Sequence, residues 1–182
     1  MPKAAKGSKV MKGRPITEPE FQRMLDATPD VVGKENAEAW QFYLRGMWWS
    51  GLRLSESLQL YWDRDRQDRL CIDFDLARPL LWIPAEFDKG KKDRVHPVAP
   101  GFVSHLQQVP AKDRTGPVFR FPGHRGALPR ADWVSKFVCA IGQKADVVVD
   151  TDPHTSKKKY ACLHDLRRSF GQRWQISYCR SN

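Results

Sequence analysis

Four residues from three separate segments of the chain could together hold and activate a phosphate group. Arg53 stands in a Gly-Leu-Arg-Leu-Ser-Glu segment, Lys89 in an Asp-Lys-Gly-Lys-Lys turn, and His164 and Arg167 in a His-Asp-Leu-Arg-Arg run. The planar fork of an arginine can grip two phosphate oxygens at once. A flexible lysine can protonate a leaving oxygen as a general acid, and a histidine can orient the phosphate or exchange a proton with the attacking hydroxyl. These residue types therefore predict phosphoryl-transfer chemistry on a phosphodiester.

Each of these residues also has a simpler interpretation. Arg53 could form a surface ion pair with Glu56. Lys89 could be a solvated turn lysine, and His164 could cap a helix. In the catalytic interpretation, Glu56 instead holds Arg53 in position without contacting the phosphate itself. Other cations are expected to stay solvated or to make sequence-independent contacts with a DNA backbone: Lys91, Lys92, Arg94, Lys157, Lys158, Lys159 and Arg168.

The overall charge of the chain indicates a polyanionic partner. Its 182 residues carry a formal net charge of +10, with a pI near 9.7. A strongly basic surface attracts polyanions and speeds encounter with them, so nucleic acid is the leading candidate. A charge that serves only solubility remains the alternative. The longest apolar stretch is far shorter than the roughly 20 residues of a membrane span, so we expect a cytoplasmic protein without a membrane partner.

The cysteines and histidines form no recognisable disulfide or metal pattern. Cys71, Cys139, Cys162 and Cys179 are far apart, without a Cys-x-x-Cys spacing and without a preceding secretory segment. We therefore interpret them as reduced thiols. The five histidines are also scattered, so the sequence predicts no zinc or iron site.

Helical periodicity dominates the first third of the chain. Thr17 and Glu20 form a capping box that predicts the start of a first helix. A second helix is expected over residues 36–50, because its apolar residues recur at helical spacing, and its aromatic side chains are expected in the core. Ser55 can cap a short third helix, which places Arg53 just before a helix N-terminus.

The middle of the chain changes to strand periodicity. Residues 70–74 alternate, Leu80–Ile83 is a short apolar run, and residues 94–98 are a third candidate strand. These segments predict a small antiparallel three-stranded sheet, with Lys89 at a hairpin tip. Loops are expected over 110–129 and 150–159. The fold class is therefore mixed α/β of the α+β type, mainly helical with one small antiparallel sheet.

Further helices are expected over 101–108, over 130–144 and from about Leu163. In the last of these, Leu163, Leu166, Phe170 and Trp174 form a stripe that we expect to be buried. His164 and Arg167, at positions i and i+3, then lie side by side on an adjoining face. One rigid element would thus present an imidazole and a guanidinium together.

Taken in order, the three segments resemble the catalytic domain of the tyrosine recombinases, the phage-integrase family. The family's Gly-Leu-Arg-x-Ser-Glu box matches residues 51–56, with Arg53 as its first catalytic arginine. The family's hairpin lysine matches Lys89, which precedes a Lys-Asp-Arg run and a proline. The His-x-x-Arg box matches His164 and Arg167 and is the most specific of the three signals. The similarity extends over roughly residues 14–174.

The resemblance implies a mixed α/β domain whose tyrosine attacks a DNA phosphate and forms a 3′-phosphotyrosyl link. A 5′ hydroxyl then reverses that step. The implied catalytic residues are Arg53, Lys89, His164 and Arg167, with Lys89 protonating the leaving 5′ oxygen. The implied partners are double-stranded DNA and other recombinase subunits, in a cytoplasmic, nucleoid-associated setting. No metal or nucleotide cofactor is implied.

The tyrosine that the family uses as nucleophile has no clear counterpart in this sequence. Tyr178 is the sole tyrosine after the His-x-x-Arg box, and a straight helix would place it about 16 Å from Arg167, which disfavours it. We therefore expect a catalytic domain that is truncated before its nucleophile and inactive in cis. Its expected parts are a disordered basic tail over 1–13, the truncated domain over 14–174 and an aberrant tail over 175–182.

Three functions remain open from the sequence alone. The first is a tyrosine recombinase catalytic domain for DNA integration and recombination that lacks its nucleophile. The second is a catalytically dead DNA-binding or regulatory module that holds DNA or blocks a full-length recombinase. The third is a hydrolytic nuclease in which His164 activates water in place of a tyrosine.

Overall fold

The structure is a computed structural model that describes residues 13–62, 69–74, 78–87, 90–123 and 128–180, with residues 176–180 as backbone alone. These residues contain six α-helices and six strands. The helices are α1 (Glu18–Val32), α2 (Lys34–Ser50), α3 (Leu54–Leu58), α4 (Pro100–Gln107), α5 (Ala131–Lys144) and α6 (Leu163–Arg180). The strands are β1 (Leu60–Tyr61), β2 (Leu70–Asp73), β3 (Leu80–Ile83), β4 (Arg94–Pro97), β5 (Val148–Thr151) and β6 (Lys158–Tyr160). The α+β class predicted from the sequence is therefore confirmed.

The first helix begins where the capping box predicts it. The Thr17 backbone N–H donates to a Glu20 carboxylate oxygen at 2.8 Å, and the Thr17 hydroxyl accepts from the Glu20 N–H at 3.4 Å. These two bonds satisfy donors that an uncapped helix start leaves without partners. The helix buries Phe21, Met24 and Leu25 against α2 and α5.

Helix α2 forms the centre of the core. Trp40, Tyr43 and Trp48 are all buried, which confirms that its aromatic side chains belong to the core. The helix begins at Lys34, before the expected cap at Asn36. The Asn36 side chain instead donates to the Val32 carbonyl at 2.8 Å, and so it ties α2 to the end of α1.

The three strands expected in the middle of the chain are present and pair antiparallel in the order β2, β3, β4. The prediction of three strands was incomplete, because the two-residue strand β1 adds to the edge in parallel with β2. A strand of two residues gives no alternation to detect. Its place is fixed by the chain after α3, where the Val118 N–H also donates to the Leu60 carbonyl at 2.8 Å.

The prediction of a plain polar loop over 150–159 was wrong. Strands β5 and β6 form a second, two-stranded antiparallel sheet there. Its turn is held by Asp152, whose Oδ1 accepts the backbone N–H groups of His154 and Thr155 at 2.9 Å each. Because most of these side chains are exposed and polar, the hairpin depends on backbone and turn bonds that hydrophobic patterning does not register.

Helix α6 begins at Leu163, as expected, but its buried stripe ends early. Leu163 and Leu166 are buried, whereas Trp174 is 51% exposed, so the prediction was wrong at that residue. The Trp174 ring stacks on Phe170, with ring centroids 5.9 Å apart. The neighbouring Arg173 instead contacts the core, with its guanidinium carbon 3.6 Å from the Trp48 ring centroid. Of the helices in the described ranges, none combines the length and apolarity that crossing a membrane requires.

Candidate phosphate-binding site

A buried carboxylate, Glu56, organises the guanidinium groups of the site. Its side chain is only 4% exposed, and its Oε1 lies 2.6 Å from Arg53 Nη1 and 3.5 Å from Arg94 Nη2. Its other oxygen, Oε2, lies 3.8 Å from Arg167 Nη1. Three arginines, from the cap of α3, from β4 and from α6, therefore converge on one acid. Such an arrangement holds cations in fixed directions before any ligand arrives.

The local sequence explains the position of Arg53. Gly51 ends α2 in the left-handed conformation, with φ of 62°, which a residue without a Cβ adopts at no steric cost. Two residues later, the Arg53 backbone N–H donates to Glu56 Oε2 at 2.7 Å. Glu56 occupies the third position of α3, so this bond makes Arg53 the N-terminal cap residue. The helix thus begins at Leu54, one residue before the cap that Ser55 was expected to form.

Helix α6 brings Arg167 to the same place. Arg167 Nη1 donates to the backbone carbonyl of Gly51, the residue that ends α2. Burial lowers the pKa of Arg167, as do the positive charges of Arg53 and Arg94, while Glu56 acts in the opposite direction. The side chains of Arg53 and Arg167 remain 43% and 38% exposed. Both guanidinium groups are therefore held in place by protein oxygens and still accessible to a ligand.

Two cavities meet at Arg53 and Arg167, which line both of them. The first, of about 290 Å³, also contains Arg94 and has apolar walls that include Phe102 and Phe170. The second, of about 450 Å³, is bounded by the start of α6 and contains His164, which is exposed. Three of the four residues that the sequence assigns to catalysis thus line one cavity. The fourth, Lys89, lies outside the described residues.

The remaining basic residues fall into different environments. Arg94 is part of the Glu56 cluster, a role that the sequence did not indicate, because Arg94 stands at the start of β4 beside Asp93 and so looks like a surface cation. Arg168 forms an ion pair with the buried Asp165 at 2.6 Å, and its side chain is 18% exposed. Four lysines are exposed and one is half-buried, and their contact with DNA stays a prediction: Lys91, Lys92, Lys157 and Lys158 are the exposed ones, and Lys159 is the half-buried one.

None of the side chains described around the two cavities is a tyrosine. The Tyr43 hydroxyl is fully buried and hydrogen-bonded to Ser57 at 3.1 Å, and burial raises its pKa. Tyr160 lies on β6, paired with Val148. The backbone of α6 continues as a helix through residue 178. Eleven residues of helix after Arg167 correspond to about 16 Å along the axis.

Within the described ranges, no group of three or more His, Cys, Asp and Glu side chains is arranged to hold a metal ion. Arg53, Arg94 and Arg167 supply fixed positive charge to the two cavities. Guanidinium groups directed at a bound phosphate stabilise the negative charge that builds up on its oxygens.

The sequence matches no protein-family model and no curated protein. The chain is similar to solved structures of site-specific recombinases. It superposes on the XerA recombinase with a TM-score of 0.51 and 15% identity, over 89% of this chain and 50% of that one. It superposes on the XerH site-specific recombinase bound to difH substrate in a pre-cleavage complex with a TM-score of 0.54 and 18% identity, over 93% of this chain and 45% of that one.

A second XerH structure, a post-cleavage complex on palindromic difH substrate, gives a TM-score of 0.53 at 18% identity, over 87% of this chain and 41% of that one. The chain therefore spans half or less of the length of these proteins. At identities this low the likeness concerns the fold. The α-helices, the small sheet and their order thus identify the chain as having the fold of a tyrosine recombinase catalytic domain.

Proposed function

We propose that this chain binds double-stranded DNA and holds one backbone phosphate between Arg53 and Arg167. The proposal assigns it to DNA strand breakage and rejoining of the tyrosine recombinase type, in DNA integration or recombination. The observation that carries it is the convergence of Arg53, Arg167 and His164 on one cavity, with Glu56 fixing both guanidinium groups. The fold likeness to recombinases bound to their DNA substrates supports it.

Each residue of the site has a role in this proposal. Arg53 and Arg167 bind the non-bridging oxygens and stabilise the charge that develops on them during transfer. His164 orients the phosphate or exchanges a proton with the attacking hydroxyl, and Lys89 protonates the leaving 5′ oxygen. Glu56 is a positioning residue, because it bonds the arginines and is itself almost inaccessible.

We infer that the chain alone does not form the phosphotyrosyl link in cis. A nucleophile must lie within about 3.5 Å of the phosphorus atom. Tyr43 is buried, and residue 178 lies some three turns along α6 from Arg167. In this proposal, cleavage requires a tyrosine supplied from elsewhere, while DNA binding requires only the described site.

Removing the Arg167 guanidinium should weaken DNA binding and reduce its dependence on salt. We expect Arg167→Ala to raise the Kd for a short duplex at least tenfold, which corresponds to about 1.4 kcal/mol. The slope of log K against log salt should become shallower by about one, because one phosphate contact fewer releases counterions. Fluorescence anisotropy at several salt concentrations measures both quantities.

A matched control for this experiment is Arg23→Ala. It removes the same charge from α1, where the Arg23 side chain contacts the Ala145 carbonyl just beyond the C-terminal end of α5. The Kd of the control should stay within about twofold of that of the unmodified chain, because most surface substitutions have small effects. Its salt slope should change by less than about half a unit. Equal effects of the two substitutions would contradict the phosphate site, and no binding at low salt would overturn the proposal itself.

Strand cleavage separates the three functions that the sequence leaves open. On a nicked suicide substrate we expect no covalent protein–DNA adduct from the chain alone, and we expect supercoiled plasmid to stay intact. An adduct that maps to Tyr178 would contradict the inferred lack of activity in cis. Plasmid nicking that Arg167→Ala abolishes, without any adduct, would instead establish the nuclease in which His164 activates water.

A further inference from the structure

Two cysteines that are 23 residues apart in sequence lie side by side in the folded chain. Cys139 is on α5 and is exposed, and Cys162 directly precedes α6 and is half-buried. Both line a cavity of about 440 Å³ between α5 and β6, and α5 packs closely against the chain just before Cys162, where Gly142 meets the Ala161 backbone. Because the sequence separates them, the expectation of four unrelated thiols did not foresee this pairing.

The surroundings of Cys139 favour its thiolate. Lys136 and Lys159 line the same cavity. The neighbouring Cys162 thiol lowers the pKa of Cys139, as do Ser135 and Lys159, against the effects of burial and Asp165. The thiolate is the form of cysteine that attacks oxidants and disulfides. Cys139 is exposed, so its thiolate is open to such reagents.

The surroundings of Cys162 favour its protonated thiol. Its backbone N–H and its thiol both donate to Oδ2 of the buried Asp165, each at 3.1 Å. The neighbouring Cys139 thiol, burial and the nearby carboxylate raise the pKa of Cys162. The single S–H of Cys162 can be donated to Asp165 or to Cys139 at any one time. One thiol that favours the thiolate beside one that favours the protonated form suits a pair in which the first reacts with an oxidant and the second then forms a disulfide with it.

We propose that Cys139 and Cys162 form a peroxide-sensitive pair that closes to a disulfide. In the first step the Cys139 thiolate attacks one oxygen of hydrogen peroxide, the O–O bond breaks, and Cys139 sulfenic acid forms while the departing hydroxide takes a proton to become water. In the second step the Cys162 sulfur attacks the sulfenic sulfur, the S–OH bond breaks, and the thiol proton leaves with the hydroxyl as a second water. The two sulfurs lose two electrons, which the peroxide gains.

A disulfide between Cys139 and Cys162 would form next to the phosphate-binding site. Cys162 also lines the cavity that contains His164 and Arg167. A disulfide would tie α5 to the start of α6, and it would remove the S–H donor that Asp165 now accepts. The existence of the pair is independent of the proposed DNA-binding function, since it depends on thiol chemistry alone.

The test uses the full chain at low concentration with a small excess of hydrogen peroxide. We expect the intact mass to fall by two hydrogen atoms, and peptide mapping to find residue 139 linked to residue 162 within one chain. A Cys71→Ala/Cys179→Ala chain should give the same result. Mapping of the unsubstituted chain makes the test independent of how well that variant folds.

Two single substitutions separate the roles of the two thiols. Cys162→Ser should leave a sulfenic acid at position 139 that dimedone captures, and Cys139→Ser should suppress the reaction at least tenfold, because it removes the thiolate. Prior unfolding in urea should abolish the difference in alkylation rate between the two cysteines. No loss of mass, a link to Cys71 or Cys179, or first capture at Cys162 would overturn the proposal.

Discussion

Replacement of Glu56 with alanine should lower the free energy of unfolding by about 2–3 kcal/mol. Removing one partner of a buried ion pair commonly costs 3–5 kcal/mol, because the other charge stays behind without compensation. Here the side chains of Arg53 and Arg167 are 43% and 38% exposed, so water solvates part of their charge and the expected loss falls to or below the lower limit of that range. The Arg53 backbone N–H also loses its acceptor. Urea denaturation measures the change.

The matched control is Glu86→Ala, which removes an exposed acid from a short 3₁₀ turn and should change stability by no more than about 0.5 kcal/mol. The milder variant Glu56→Gln retains an acceptor for Arg53 and removes the charge. Added sulfate should raise its thermal midpoint more than that of the unmodified chain, because an anion can replace the missing charge. Equal losses for Glu56→Ala and Glu86→Ala would show that Glu56 does not organise the cluster.

Gly51→Ala should destabilise the chain by about 3 kcal/mol. A Cβ at this left-handed position, φ 62°, costs about 1 kcal/mol. The same Cβ would overlap Cδ1 of the Phe170 ring and lie 2.7 Å from its Cε1, so α6 would have to move away from the end of α2. Overpacking of this kind typically costs 1–3 kcal/mol. Arg167 is on the displaced helix, so DNA affinity should fall as well.

Gly116 provides a close control for this substitution. It has nearly the same conformation, φ 67°, but a Cβ there would meet nothing within 4 Å. Gly116→Ala should therefore cost only the conformational part, about 1 kcal/mol, and leave DNA affinity unchanged. A double variant, Gly51→Ala/Phe170→Ala, should recover part of the lost affinity. If both glycine substitutions had the same effect, the contact between Gly51 and Phe170 would not position α6.

Local signals in the sequence foretold much of the architecture. The capping box at Thr17, the apolar period of α2 and the three central strands are all found where the sequence predicts them. The spacing of His164 and Arg167 also sufficed to place them on one helix. Each of these signals involves residues that are close in sequence, where capping bonds and the spacing of apolar residues determine the local structure.

The features that the sequence did not reveal depend on contacts between distant segments. Arg94 belongs to the Glu56 cluster because β4 lies beside α3, and Cys139 meets Cys162 because α5 packs against the start of α6. Trp174 is exposed although its spacing on the helix fits a buried stripe, and the residue beside it, Arg173, contacts Trp48. Periodicity identifies a face of a helix, but not how far its neighbour extends.

Gly51, the cap residue just after α2, contacts or adjoins each part of the site. Arg53 follows Gly51 by two residues, and Arg167 donates a hydrogen bond to the Gly51 carbonyl. The Phe170 ring lies where a Cβ of residue 51 would be. One residue inserted within α2 would rotate Gly51 by about 100°, and all three groups would lose their alignment together. The length of α2 should therefore tolerate far less variation than the long connection between α4 and α5, whose described residues, 108–123 and 128–130, do not line the two cavities.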